Sequence, residues 1–179
     1  MSIDLNERAV NILDFLNEIN GNLISFTNEV VGCEGLRYLP QDFQVFMSVI
    51  GRCSIGSDPL NSSSGFQIVL VDRPVNLEEA HSKFVEGESE LFVWDEFAPN
   101  EDVGGFKAAD FTLVANDVDN QMAGFIHNGS KHEFFTNSVY SSNPPEKTFT
   151  DWFVNLLRTF LFETRNELSP KLRISLSKL

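Results

Sequence analysis

The chain has 179 residues, of which 42% are hydrophobic and 12% are aromatic. This composition excludes the low-hydrophobicity chains that stay disordered, and the length fits one domain of about 100–200 residues. The 26 acidic residues outnumber the 13 basic ones, so the formal net charge is −13. Because phosphate binding depends on Lys and Arg contacts, direct nucleic-acid binding is disfavoured and a basic protein partner is favoured.

The N-terminal segment predicts an amphipathic helix that ends near Asn20 and Gly21, because its apolar residues recur at spacings of four and three. These residues are Leu5, Ala9, Ile12, Leu16 and Ile19. The segment lacks the apolar run of a signal peptide, and no stretch reaches the roughly 20 apolar residues that span a bilayer. Cys33 and Cys53 are too few for a disulfide scaffold, so we expect reduced cysteines, a cytoplasmic location and no membrane association.

The next part of the chain predicts a helix followed by a strand. The helix is expected to begin at Pro40 and to end before Gly51, with an apolar face made of Phe43, Phe46, Met47 and Ile50. Residues 54–65 have the composition of a surface loop, and residues 66–71 form a branched apolar run that is typical of a strand. Asn76 is predicted to cap a short helix, because Glu79 follows it by three residues.

The second half of the chain predicts mostly sheet and then a core helix. Strands are expected at residues 91–94, 111–116 and 122–127, with residues 132–136 as the hairpin partner of the last. Thr148 and Asp151 resemble a capping box, and apolar residues follow at helical spacing as far as Leu161. Residues 166–179 are expected to form an edge strand or a frayed tail. This order predicts a single α+β domain over residues 1–179, with a predominantly antiparallel central sheet flanked by N-terminal and C-terminal helices.

Three groups of polar residues invite a chemical role, and a structural role is favoured for each. His127 and His132 bracket a predicted four-residue hairpin loop that would bring the imidazoles together, but no further His or Cys lies at metal-ligand spacing. Residues 116–120 resemble a calcium loop, yet the sixth and twelfth positions counted from Asp117 are Met122 and Asn128, where an EF-hand has Gly and Glu. The carboxylates at 95–96 and 101–102 could serve as a general acid and base, but the sequence shows no pocket that would give them different pKa values.

Nucleophile-elbow, phosphate-loop and zinc-protease motifs are missing from the sequence. We therefore expect no enzyme activity, no cofactor and no metal.

The strongest functional signal is the distribution of charge. Residues 72–119 hold 13 acidic residues and three basic ones, which is −10 of the net charge. Because aromatic residues are interleaved with the acidic ones, the pattern indicates a folded acidic surface that binds a basic partner. From charge alone we predict that the partner-binding residues are Glu78, Glu79, Glu86, Glu88, Glu90, Trp94, Asp95, Glu96, Phe97, Glu101 and Asp102.

Three passages also carry a family resemblance. Residues 39–46 begin with Leu39 and Pro40 and continue with aromatic residues, residues 111–125 read as a strand, an acidic turn and a strand, and residues 148–153 open the closing helix. In this order, over residues 36–161, they resemble the SUKH superfamily of bacterial immunity and cell-wall-regulator-like proteins. The order of the passages is more specific than any one of them.

The resemblance implies an α+β domain whose bacterial members commonly neutralise a cognate toxin, often a nuclease or a deaminase, by binding and blocking it. Such proteins have no catalytic residues to transfer, and their contact residues vary between members. We therefore expect an immunity-type protein that blocks a basic toxin surface with its acidic one. The alternative is a noncatalytic regulatory scaffold that binds a host enzyme or a cell-wall assembly factor.

Overall fold

Helices lie at both ends of the chain and strands lie between them. The helices are α1 (Leu5–Ile19), α2 (Gln41–Val49), α3 (Phe149–Phe160) and α4 (Pro170–Lys178). The strands are β1 (Ser25–Glu29), β2 (Arg52–Gly56), β3 (Gln67–Asn76), β4 (Asp102–Val103), β5 (Phe106–Lys107), β6 (Phe111–Asp117), β7 (Met122–Asn128) and β8 (Lys131–Thr136). The computed structural model describes residues 4–30, 36–60, 67–76, 102–103, 106–117, 122–129, 131–136, 147–161 and 168–179.

The main sheet has six strands in the order β1-β2-β3-β6-β7-β8, and every neighbouring pair is antiparallel. The small β4–β5 hairpin lies on the connection from β3 to β6. The pairing of β3 with β6 shifts register between Leu70 and Val75. Pro74 lies within this irregular stretch, which fits the confinement of proline to sheet edges and bulges. The architecture is α+β, as the sequence predicts.

One face of the sheet packs against the helices through a buried aromatic cluster. Phe149 of α3 lies 4.9 Å from both Phe43 and Phe46 of α2, measured between ring centroids, with nearly perpendicular rings. Phe125 of β7 lies 5.4 Å from Phe43 in a similar edge-to-face contact. Burial of such rings supplies most of the stability of a core, and edge-to-face geometry adds about 0.5–1.5 kcal/mol per pair. The core therefore joins β7, α2 and α3.

The start of α3 is fixed by hydrogen bonds from three parts of the chain. Thr148 Oγ1 accepts from the Asp151 backbone N–H at 3.1 Å and donates to the Asp151 carboxylate at 2.8 Å. Asp42 of α2 accepts from the Thr150 backbone N–H at 3.0 Å, and Arg8 of α1 forms an ion pair with Asp151 at 2.8 Å. The Asp42 carboxylate and the Thr148 hydroxyl thus accept from free N–H groups in the first turn of α3, and the negative charges of Asp42 and Asp151 suit the positive end of the helix. The predicted cap at Thr148 and Asp151 is confirmed.

Gly51 allows the chain to pass from α2 into β2. Its φ is +80°, and a Cβ atom at this position would lie 2.1 Å from the backbone oxygen of Glu29 on β1. Only glycine combines the left-handed backbone with this close approach. The predicted end of the second helix before Gly51 is therefore confirmed, with a physical reason that the sequence pattern does not contain.

Several predicted elements differ from those observed. The predicted loop at 54–65 is wrong at its start, because Cys53 and Ile55 are buried and alternate along β2. Asn76 is the last residue of β3, where it pairs with Thr112 of β6. Strand β1 was not predicted. The predicted helix after Asn76 and the predicted strand at 91–94 lie outside the described residues.

The predicted edge strand or frayed tail at residues 166–179 is also wrong, because the chain forms helix α4 from Pro170 onward. Ser169 caps this helix by accepting from the Leu172 backbone N–H at 3.3 Å. Pro170 occupies the first turn, where its missing N–H is not needed. Leu176 is buried against the core, whereas Ile174 is 55% exposed. The alternating apolar residues that suggested a strand therefore have different environments in the helix. Leu172 and Leu176 share the face that packs against the core, and Ile174 lies on the exposed side.

Candidate functional site

The two histidines of the β7–β8 hairpin face each other across the strands. Asn128 pairs with Lys131, so the turn is two residues long rather than the predicted four, and it begins at Gly129 with φ +63°. In such a hairpin the residues that flank the turn form the hydrogen-bonded pair. His127 and His132 are the next pair, and their side chains therefore approach closely. The structure thus brings the two imidazoles together, through a turn shorter than the predicted one.

These two histidines, with Thr112 of β6 and Tyr38, make up a group that we call the histidine cluster. His127 Nδ1 lies 2.6 Å from His132 Nδ1, and the two rings are nearly perpendicular. On its other side, His127 Nε2 is hydrogen-bonded to Thr112 Oγ1. The ring of Tyr38 lies 6.2 Å from the His127 ring and 6.3 Å from the His132 ring, measured between centroids. The cluster thus gathers residues from three separate parts of the sequence.

The surroundings of the cluster disfavour charge on His127. Partial burial lowers the pKa of this imidazole, the nearby His132 lowers it further, and the carboxylate of Asp110 opposes both effects by raising it. Partial burial also raises the pKa of the Tyr38 phenol. A hydrogen bond between two Nδ1 atoms needs an N–H on one ring as the donor and a lone pair on the other ring as the acceptor. The pair is therefore compatible with two neutral imidazoles, and a second proton at the contact would break it.

The chemistry open to the cluster is limited by exposure. Thr112 is only 5% exposed, so its hydroxyl orients the imidazole of His127 and is poorly placed to attack a substrate. Tyr38 is 48% exposed and presents its ring at the surface. Within the described ranges, no group of three or more His, Cys, Asp or Glu residues is arranged to hold a metal ion. The cluster can present two imidazole nitrogens and an aromatic ring to a ligand.

The acidic segment, residues 77–102, begins directly after a strand residue that pairs with a member of the histidine cluster. Strand β3 ends at Asn76, which pairs with Thr112 and donates from its side-chain amide to the backbone oxygen of Ala109. The chain returns through the β4–β5 hairpin and a short 3₁₀ helix, Ala108–Asp110, into β6. Residues 77–101, which contain eight acidic residues and one lysine, connect β3 to β4 along the chain.

The predicted partner-binding residues are not placed by the structure. Asp102 lies on β4, opposite Lys107 of β5. The other ten lie outside the described residues: Glu78, Glu79, Glu86, Glu88, Glu90, Trp94, Asp95, Glu96, Phe97 and Glu101. Of the predicted partner-binding residues, the structure describes only Asp102, so the set remains a prediction from charge.

Sequence reasoning found the histidine pair but missed Tyr38 and Thr112. Thr112 reads as an ordinary strand residue, and its position beside His127 follows from the pairing of β6 with β7. Tyr38 lies 89 positions before His127 along the chain, and no local pattern connects the two. A model of the strand register could have found Thr112, whereas Tyr38 becomes visible only in the packed structure.

Comparison of the chain with protein-family models, curated proteins and solved structures gave no match. The resemblance to the SUKH superfamily therefore remains a prediction from sequence motifs. In the part of the chain that the structure describes, each helix is too short or too polar to cross a membrane.

Proposed function

We propose that the protein is a noncatalytic, immunity-type inhibitor that binds a basic protein toxin through its acidic segment, residues 77–102. The observation that carries this proposal is the excess of negative charge in a segment that connects strand β3 of the main sheet to the β4–β5 hairpin. Asn76 and Thr112 pair at its base, and Asp102 pairs with Lys107 on the returning hairpin. A segment tethered at both ends loses less entropy on binding than a free tail would.

The charge of this segment suits recognition of a basic partner. Residues 72–119 account for −10 of the net −13. Complementary charge raises association rates to about 10⁸–10⁹ M⁻¹s⁻¹ at low salt, from about 10⁵–10⁶ M⁻¹s⁻¹ without it. It also disfavours partners of the same sign, because juxtaposed like charges cost several kcal/mol. An inhibitor that must capture a toxin before it acts benefits from both effects.

The three passages that carry the family resemblance meet in the core. Each of the three passages that resemble SUKH motifs contributes at least one ring to the aromatic cluster. Phe43 comes from the first passage, Phe125 from the second and Phe149 from the third. Phe43 contacts both of the others edge to face. The passages therefore belong to one structural unit, as motifs of a common fold would.

The proposal is tested by affinity capture from the native cell with two variants of equal charge change. One variant carries Glu86→Lys and Glu88→Lys in the acidic segment. The other carries Glu7→Lys and Asp14→Lys on the exposed side of α1 and serves as the matched control. We expect the wild type and the α1 variant to retain the same basic protein, identified by mass spectrometry, and the segment variant to lose it.

The captured protein must then be inhibited stoichiometrically when the wild-type chain is added to an assay of its toxic activity. Retention of the same protein by all three chains would place the contact elsewhere. Capture of an acidic protein would contradict the proposal. Capture of a host enzyme or a cell-wall assembly factor would favour the regulatory scaffold instead. Circular dichroism of each variant establishes that its fold is intact.

A further inference from the structure

The hydrogen bond between His127 and His132 places two imidazole nitrogens where a metal ion could replace the shared proton. Their Nδ1 atoms lie 2.6 Å apart, so each ring turns the same nitrogen toward the contact. A tetrahedral metal ion at about 2.0–2.1 Å from each nitrogen would separate the nitrogens by roughly 3.3 Å. The required widening is under about 1 Å, and both rings are only partly buried, so small rotations of the side chains suffice.

A second feature orients one of the two nitrogens. Histidines that bind metals almost always donate their other ring N–H to a fixed acceptor, which selects the tautomer and the ring orientation. Thr112 Oγ1 lies on His127 Nε2 and can accept this proton, which leaves Nδ1 free to bind. Thr112 is buried on the central strand β6, so the acceptor is held in place by the sheet. Such a partner has no role in a chance meeting of two surface histidines.

We propose that His127 and His132 form a two-histidine site for a divalent transition-metal ion, with Thr112 as the positioning residue. Imidazole nitrogens favour Cu²⁺, Ni²⁺ and Zn²⁺ over Mg²⁺ and Ca²⁺, and affinity is highest for Cu²⁺. Among residues of known placement, no third His, Cys, Asp or Glu joins the pair, so the described part of the site has two protein ligands. The site does not depend on the proposed toxin binding and is tested without any protein partner.

The test is a titration of the untagged, full-length chain with Cu²⁺, followed by calorimetry and electron paramagnetic resonance. We expect one equivalent to bind with two equatorial nitrogen ligands in the spectrum. Loss of the group that hydrogen-bonds a metal-binding histidine typically costs about 10–100-fold in affinity, so loss of a ligand must cost at least as much. His127→Gln and His132→Gln should therefore each weaken binding by at least about tenfold. His81→Gln, which removes the remaining histidine of the chain, is the matched control and should bind as the wild type does.

Two further variants separate a built site from a chance pair of ligands. Thr112→Val should weaken Cu²⁺ binding by about tenfold, and Thr112→Ser, which keeps the hydroxyl, should restore it. Binding weaker than about 1 mM in the wild type would overturn the proposal. So would a spectrum with fewer than two nitrogens, or equal loss of affinity in His81→Gln. The spectrum of the wild type decides the matter even if a variant fails to fold.

Discussion

Cys53 shows at the scale of one residue how burial sets chemistry. Cys53 is a free cysteine on β2, and its thiol is buried in the core that also contains Phe26 and Ile55. Burial raises the pKa of this thiol far above its ordinary value, because the thiolate cannot be solvated there. The sequence predicts a reduced cysteine, but it does not indicate that the thiol is buried.

This burial predicts a loss of stability at alkaline pH. Since the pKa is raised on folding, the contribution of Cys53 to stability is complete below the pKa of the unfolded chain, about 9, and is lost as the pH rises above it. Between pH 8 and pH 10 the wild type should lose about 1.4 kcal/mol more unfolding free energy than Cys53→Ala. Urea unfolding at each pH measures the difference. Cys33→Ala should keep the alkaline loss, and an equal loss in wild type and Cys53→Ala would show that the thiol ionises freely in the native state.

At the scale of elements, helix α4 has the sharpest consequence for stability. Leu176 is 7% exposed and belongs to the core, and its backbone oxygen accepts from Arg158 of α3 at 3.4 Å. Leu176→Ala should therefore lower the free energy of unfolding by about 2–3 kcal/mol. Ile174→Ala, two residues earlier on the exposed side, should change it by less than about 1 kcal/mol. Chemical denaturation compares the two, and equal effects would mean that α4 does not pack as described.

Helices α1 and α3 were predictable from the sequence, whereas strand β1 and helix α4 were not. Helices α1 and α3 repeat apolar residues over three or more turns, so one pattern fits them and a strand pattern does not. Strand β1 buries only Ser25 and Phe26 of its five residues, which is too little alternation to recognise. In α4 the sequence from Leu172 to Leu176 fits both a period of two and a spacing of four. Its cap at Ser169 and Pro170 was the signal that could have decided between them.

At the scale of the whole molecule, one end of the sheet carries both unusual features of the sequence. Thr112 contacts His127 in the histidine cluster and pairs with Asn76 at the base of the acidic segment. The acidic segment could be predicted from composition, because charge is visible in any sequence. Its attachment beside the histidines could not be, since it depends on the pairing of β3 with β6 across a long connection. The helices that pack in the core with this sheet include α1 from the N-terminal part of the chain and α3 from the C-terminal part.

The central claim is that the acidic segment guides a basic partner to this protein, and the association rate tests it most directly. Stopped-flow mixing with the captured partner compares the wild type, the Glu86/Glu88 reversal and the Glu7/Asp14 reversal at low and high ionic strength. At low salt we predict that the segment reversal associates at least about tenfold more slowly than the wild type and the α1 reversal stays close to it. The difference should shrink in high salt, because counterions screen exposed charges beyond about 3 Å at 1 M. Equal association rates for the two reversals at low salt would contradict the claim.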